Sequence, residues 1–229
     1  MLKIVNLSFG YPGGEELFGS LSAEMAAGDL TFVGGANGCG KSAFLGVLAG
    51  LWEPRGGEIL WGTAGERELI KDSVVLLPQN FDRYLLGETV QEEMELARLG
   101  APGGPGEPGV LEALTREWEL GPLYGAEIAS LSVGQRKRVA LASALASEPR
   151  LLLLDEPFAG LDWGGQLTLK GDLRRLRAEG LTVVLASHEP QMVADLTDNW
   201  LLLKRGEYLF TSDVRDLARL PEFGARPLA

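Results

Sequence analysis

The sequence predicts an α/β fold in which a sheet covered on both faces is interrupted by a helical subdomain. Three observations predict it. Short β-rich runs alternate with segments of helical period. The runs LLLL (151–154) and VVLL (74–77) are apolar throughout rather than alternating, as strands buried on both faces are. Helical patterns also cluster between residues 89 and 147. In chain order, residues 2–9 (LKIVNLSF) read as a strand, and 30–33 as another that enters a glycine-rich turn. A helix is predicted over 41–51, where Phe44, Leu45, Val47, Leu48 and Leu51 fall near one another. Strands follow at 58–61 and 74–77, then a helix over 89–99 with Val90, Met94 and Leu99 set among glutamates. Residues 101–109 (APGGPGEPG) are predicted to be loop, because proline lacks an amide donor and glycine weakens any helix or ladder. Helices are then predicted at 111–118 and 133–146, a strand at 151–154, a helix at 166–178 and a strand at 182–186. A hairpin, 200–203 with 207–210, turns at Arg205-Gly206.

A chain of 229 residues can bury a sizeable core as one large domain. Its 45% hydrophobic and 23% charged residues exclude disorder and collagen-like order. A formal net charge of −11 argues against nucleic acid as a partner, since phosphate contacts need a basic face. The same charge argues against a basic membrane anchor. No apolar run approaches the ~20 residues that cross a bilayer, and the opening MLKIVNLSFGYPGG lacks an apolar signal core. The single cysteine, Cys39, has no internal disulfide partner, so a reducing, cytoplasmic setting is expected.

Residues 35–42 read GANGCGKS and match G-x-x-x-x-G-K-[ST] between a predicted strand and a predicted helix. Such a loop turns backbone N–H groups onto phosphate oxygens at a helix N-terminus. Gly35, Asn37, Gly38, Cys39 and Gly40 form it, Lys41 reaches the β- and γ-phosphates of a nucleotide, and the Ser42 hydroxyl ligates Mg²⁺. In LLLLDEP (151–157) an apolar strand ends in Asp155, suited to hold Mg²⁺ through water. Glu156 follows, suited to deprotonate an attacking water. Ser132, ahead of a helical pattern, reads as an N-cap. Gln79, after VVLL, reads as a polar loop residue; His188, the only histidine, is either a structural hydrogen-bonder or a catalytic group, and its position leaves both open.

Taken in this order, FGYPG, GANGCGKS, VVLLPQN, LSVGQ, LLLLDEP, AGLD (159–162) and His188 after TVVLAS resemble the nucleotide-binding domain of the ATP-binding cassette (ABC) family. The resemblance runs over residues 2–210. It implies a P-loop NTPase core of the RecA-like type, with an antiparallel β subdomain and an inserted α-helical subdomain. Residues 1–80 and 148–229 would form the core, and 81–147 the helical subdomain that carries the signature LSVGQ. It implies that Tyr11, rather than Phe9, stacks on adenine and that Gln79 senses Mg²⁺ and water. Glu156 would be the catalytic base, His188 would contact the γ-phosphate, and Asp162 would belong to the loop joining two sites. Members of the family work as head-to-tail dimers. Ser132, Gly134 and Gln135 of one subunit would therefore close over ATP held by a second copy or a paralogue.

Two positions depart from the family pattern. Val133 stands where glycine is usual, and is strained if its φ is positive. Cys39 stands where small hydroxyl residues are usual; beside a helix N-terminus and Lys41, its thiol is expected to ionise easily. The segment PQNFDRYLLGETVQEEM resembles most the ATPase subunits of energy-coupling-factor and cobalt-type importers. That implies uptake of a vitamin or metal ion through a transmembrane subunit docked on the helical subdomain, at the cytoplasmic face of the membrane. Glu88, Glu92, Glu93 and Glu95 are then either an acidic docking groove or the solvated start of a helix. A non-transport ABC ATPase, for example in cluster assembly, and a catalytically weak regulatory subunit are the alternatives. Trp163, next to Asp162, is expected near the subunit interface.

Overall fold

A computed structural model describes residues 1–62, 73–99 and 109–228; the predicted loop at 101–109 lies outside these residues except for Gly109. Strands β1 (Leu2–Phe9), β2 (Phe18–Met25) and β4 (Gly56–Trp61) pair antiparallel in the order β2-β1-β4. The second sheet contains β3 (Leu30–Gly35), β5 (Val74–Leu77), β6 (Leu151–Asp155), β7 (Thr182–Ala186), β8 (Asn199–Lys204) and β9 (Glu207–Thr211). Its order is β5-β6-β7-β3-β8-β9, parallel throughout except for the β8–β9 hairpin. β2 has no counterpart in the sequence reading. Its residues FGSLSAEM are poor in β-branched side chains, yet Phe18, Leu21, Ala23 and Met25 are buried against β1. Cross-strand packing rather than propensity makes this strand.

The larger sheet shows why LLLL and its neighbours are apolar throughout. Leu152, Leu154, Val183 and Leu185 join one hydrophobic core, with helix residues such as Met94, Val139 and Leu173. Leu151, Leu153, Val184 and Ala186 join a second core on the other face, with the small sheet and helix α1 (Lys41–Leu48). Successive residues of one strand thus enter opposite cores, as the period of two requires. Helix α1 ends three residues earlier than predicted. Gly50 adopts a left-handed φ of 69°, and Leu51 N–H bonds back to the Gly46 carbonyl at 2.9 Å, which is a Schellman stop.

Between β5 and β6 the chain inserts helices α2 (Val90–Leu99), α3 (Val110–Glu117) and α4 (Val133–Leu145). Helix α5 (Trp163–Ala178) connects β6 to β7 and starts three residues before the predicted bound, because Asp162 caps it by accepting from Gly165 N–H at 2.7 Å. A 3-10 run, Val214–Phe223, is the last helical element of the described chain.

Candidate active site

Strand register gathers the motifs at one edge. Val33 is level with Ala186, Ala186 with Asp155, and Leu77 with Leu154. The segments beginning at residues 34, 78, 156 and 187 therefore leave the carboxyl ends of parallel strands side by side, where α/β sheets hold ligands. The loop after β3 turns through Gly35, Gly38 and Gly40, all with positive φ. A Cβ at Gly38 would meet nothing within 4 Å, so the loop is open on that side, and no side chain caps helix α1. Its first N–H groups are left to an anion. Lys41 Nζ meanwhile donates to the Gly35 and Ala36 carbonyls at 3.0 and 3.3 Å. Behind the loop, Ala36 N–H donates to the Phe223 carbonyl at 3.0 Å, so the C-terminal run braces it.

Cys39 corrects an expectation. Its side chain turns into the core and is 6% exposed; burial pushes the thiol above its ordinary value, outweighing the lowering by the Lys41 charge. Its N–H is taken by the Ala36 carbonyl at 3.2 Å. The residue supports the loop from behind and has no easily ionised thiol.

The Ser42 hydroxyl lies beside Asp155, a buried carboxylate at the end of β6. Burial raises Asp155 above its ordinary pKa; the Ser42 hydroxyl lowers it, Glu156 raises it and Lys41 lowers it. A hydroxyl and a carboxylate side by side are hard oxygen donors, and no group of three or more metal-binding acids, histidines or cysteines exists among the described residues. That set fits Mg²⁺, which is held by one or two protein oxygens together with substrate phosphates. Bound there, Mg²⁺ would neutralise developing phosphate charge.

Glu156 stands in the left-handed region with φ 47°, which for a non-glycine residue stores of order 1–3 kcal/mol. The conformation delivers its carboxylate beside the next strand end. Oε2 accepts from Ser187 Oγ at 3.0 Å and from the His188 backbone N–H at 3.4 Å, and lies 2.9 Å from His188 Nδ1. A carboxylate is an acceptor only, which assigns the proton to Nδ1. Oε1 remains to take a proton from water. His188, whose position in the sequence left two readings open, stands directly against the Glu156 carboxylate. Gln79 is exposed two residues past β5, whose last residue, Leu77, is level with Leu154 of β6.

Tyr11 stands 44% exposed, with its ring edge-on to Phe9 at 5.3 Å and to Trp52 at 5.6 Å. Phe9 itself is buried. The Tyr11 turn is pinned by Arg55, whose guanidinium donates to the carbonyls of Gly10, Tyr11 and Gly14 at 3.2, 3.0 and 2.7 Å. Sequence reading missed Arg55 and Trp52, which belong to no motif, and Ser187, which ends TVVLAS beside His188. Ser132 and Gln135 form a reciprocal capping box at the start of α4, with bonds of 3.3 and 2.8 Å. Val133 is the first residue of that helix and is absent from the positive-φ positions. It is unstrained, so the geometric argument against an active signature falls away. Asp162 and Trp163, the latter 67% exposed, begin α5 at the surface.

A glycine loop on a parallel sheet edge, with an Asp–Glu pair and a histidine at the neighbouring strand ends, defines a phosphate-loop NTPase with a RecA-like core. Residues 18–159 match the ABC transporter family model, and the chain belongs to that family. It is 35% identical over 233 residues to the cobalt import ATP-binding protein CbiO of Rhodobacter capsulatus, covering 96% of this chain and 83% of the relative. It is 33% identical over 222 residues to the energy-coupling factor transporter ATP-binding protein EcfA of Methanothermobacter thermautotrophicus, covering 91% and 70%. Among solved structures, CbiO1 from Clostridium perfringens superposes with a TM-score of 0.79 at 26% identity, over 97% of this chain and 96% of that one. The protein is an ATP-binding, ATP-hydrolysing subunit of an ABC transporter, acting on ATP with Mg²⁺.

Proposed function

We propose that this chain is the ATPase subunit of an importer of the energy-coupling-factor or cobalt type, working as a dimer beneath a transmembrane subunit. The observation that carries the catalytic part is the Glu156 carboxylate held on Ser187 and His188 next to the Ser42–Asp155 pair. In this reading Tyr11 carries the adenine, and residues 35–42 carry the phosphates with Lys41. Ser42, Asp155 and Gln79 attend to Mg²⁺, Glu156 takes a proton from water, and His188 reaches the γ-phosphate. Ser132, Gly134 and Gln135 complete the partner copy's site, with Asp162 on the joining loop.

For the transport part, the related CbiO1 is described as part of the ABC transporter complex CbiONQ. No helix among the described residues is long and apolar enough to cross a membrane, so the reading assigns the membrane passage to a partner and this chain to the cytoplasmic face. A groove of about 720 Å³ supports the docking place. It is lined by Asp82, Glu88, Glu127 and Arg136 around Leu85 and Ile128. Three acids against one arginine suit a basic partner helix.

The glutamates named for this groove separate in the fold. Glu88 lines it. Glu92 caps the backbone of Glu88 and Thr89, while Glu93 is buried and Glu95 lies in a separate concavity with Arg98 and Tyr124. The test is affinity purification of tagged Glu156→Gln protein from detergent-solubilised native membranes with Mg-ATP. Co-purification of an integral membrane protein with a small binding subunit is expected. Recovery of soluble partners alone would overturn the transport reading.

A further inference from the structure

Lys137 lies two residues beyond the signature, in α4, and belongs to none of the motifs. It is 6% exposed, and no carboxylate pairs with it among the described residues. Its ammonium donates to the carbonyls of Pro157 and Ala159 at 2.6 and 2.5 Å, and its third side faces the Phe81 ring at 4.9 Å from the centroid. One cation thus touches the segment after Gln79, the turn after Glu156 and, through its own helix, the signature. Burying a charge without a counter-ion is unfavourable, and a methionine of similar length would fill the space. What the ammonium adds is the geometry of the turn: Ala159 N–H bonds back to the Glu156 carbonyl at 3.1 Å, and Glu156 itself is held at positive φ.

We propose that Lys137 is a positioning residue for ATP hydrolysis, clamping the turn that presents Glu156 and tying it to the helix that begins at Ser132. The inference deepens the reading above and rests on Glu156 as base. Burial lowers the Lys137 ammonium to about 8, so its charge fades on the alkaline side of neutrality. The other charged groups around it are engaged with one another. Arg138 and Asp172 line the small cavity beside it, and Glu119 pairs with Arg138. Asp82 pairs with Arg136, and Glu156 is engaged by His188. Asp172, pushed up to about 6 by burial, is already ionised there.

The experiment measures kcat and KM for ATP from about pH 6.5 to 9.5 in the assembled ATPase, for the wild type, Lys137→Met, Lys137→Arg and Glu156→Gln. Lys137→Met should lower kcat about tenfold or more and move KM less than about twofold. Lys137→Arg should keep most of the kcat and lose the wild-type decline above pH 8, because a guanidinium stays charged. Wild-type kcat in Lys137→Met, an equally low kcat in Lys137→Arg, or coincident alkaline limbs in Lys137→Arg and wild type would each overturn the proposal. The comparison of arginine with wild type decides even if the methionine variant fails to fold. A Glu156→Gln enzyme that still turns over would overturn the base assignment. A dead Glu156→Gln beside an unimpaired Lys137→Met overturns the clamp alone.

Discussion

Replacing Arg55 with alanine should weaken ATP binding through the base alone. The guanidinium lies close against Gly10, where a Cβ would come within 2.8 Å of its Cζ, and it holds three carbonyls of the turn that carries Tyr11. Stacking of a base on an aromatic ring is worth about 1–3 kcal/mol by alanine substitution. Tyr11→Ala should therefore raise KM for ATP about 5- to 150-fold. Arg55→Ala keeps the ring but frees its backbone, and Phe9 and Trp52 still flank it. Losing about half of the stacking term, ~0.5–1.5 kcal/mol, corresponds to a rise of about 2- to 12-fold. The assay compares kcat and KM with direct binding of ATP and of inorganic tripolyphosphate, which has no base. The expectation is a higher KM, unchanged kcat, weaker ATP binding and unchanged tripolyphosphate binding. Equal weakening of both ligands would refute the reasoning, because the defect would then lie in the phosphate loop.

Three further outcomes follow from burial. Cys39 should react with a thiol reagent at least about 50-fold more slowly in the native chain than in urea, since burial both shields and protonates it; matching rates would sink this. Glu93 accepts from Leu86 and Gly87 N–H at 2.7 and 2.9 Å and from Ser143 Oγ at 2.6 Å, all through a buried carboxylate. Glu93→Ala should cost about 3 kcal/mol in urea unfolding by orphaning those donors, and a loss below about 1 kcal/mol would count against it. Asp172 holds its proton up to about pH 6 in the folded chain, against 3.8 ordinarily. The folded state binds the extra proton between those values, so this group's contribution to stability falls as pH rises through them. Asp172→Asn should raise the unfolding midpoint more at pH 7 than at pH 5; an equal change at both would refute the linkage.

What the sequence made legible was whatever local pattern determines. The apolar runs of β6 and β7 declare themselves because both faces are buried, and the 35–42 loop because its glycines must take conformations that other residues avoid. β2 stayed hidden because its pairing with β1 supplies what its glycine and serines lack. The start of α5 was obscured by Trp163-Gly164-Gly165, poor helix formers that one cap at Asp162 overrides. The same limit applies to the site. Asp155 and Glu156 announce themselves by ending a strand, whereas Arg55, Ser187 and Lys137 act through hydrogen bonds 20 to 45 positions distant in the chain. The expectation for Cys39 failed for a related reason. Its sequence neighbours, Gly40 and Lys41, favour the thiolate, but its side chain points to the core.

Under the proposed reading a single copy carries an incomplete site, and the start of α4 gives that a physical reason. The capping box satisfies Ser132 N–H with the Gln135 side-chain oxygen, and Gln135 N–H with the Ser132 hydroxyl oxygen. Both bonds consume side-chain acceptors. What remains at that surface is a set of donors: the Ser132 O–H, the Gln135 amide N–H₂ and the first backbone N–H groups of α4. A cluster of donors at a helix N-terminus is complementary to an anion. Val133, 44% exposed and unstrained, stands among them without using one. Glu156, by contrast, already has its donors within the chain. The Glu156 carboxylate is therefore positioned before a partner arrives, while the signature is left with donors that suit a phosphate. Closure of two copies over ATP would supply that phosphate to each, which makes binding energy, rather than any rearrangement of the base, the force that assembles the site.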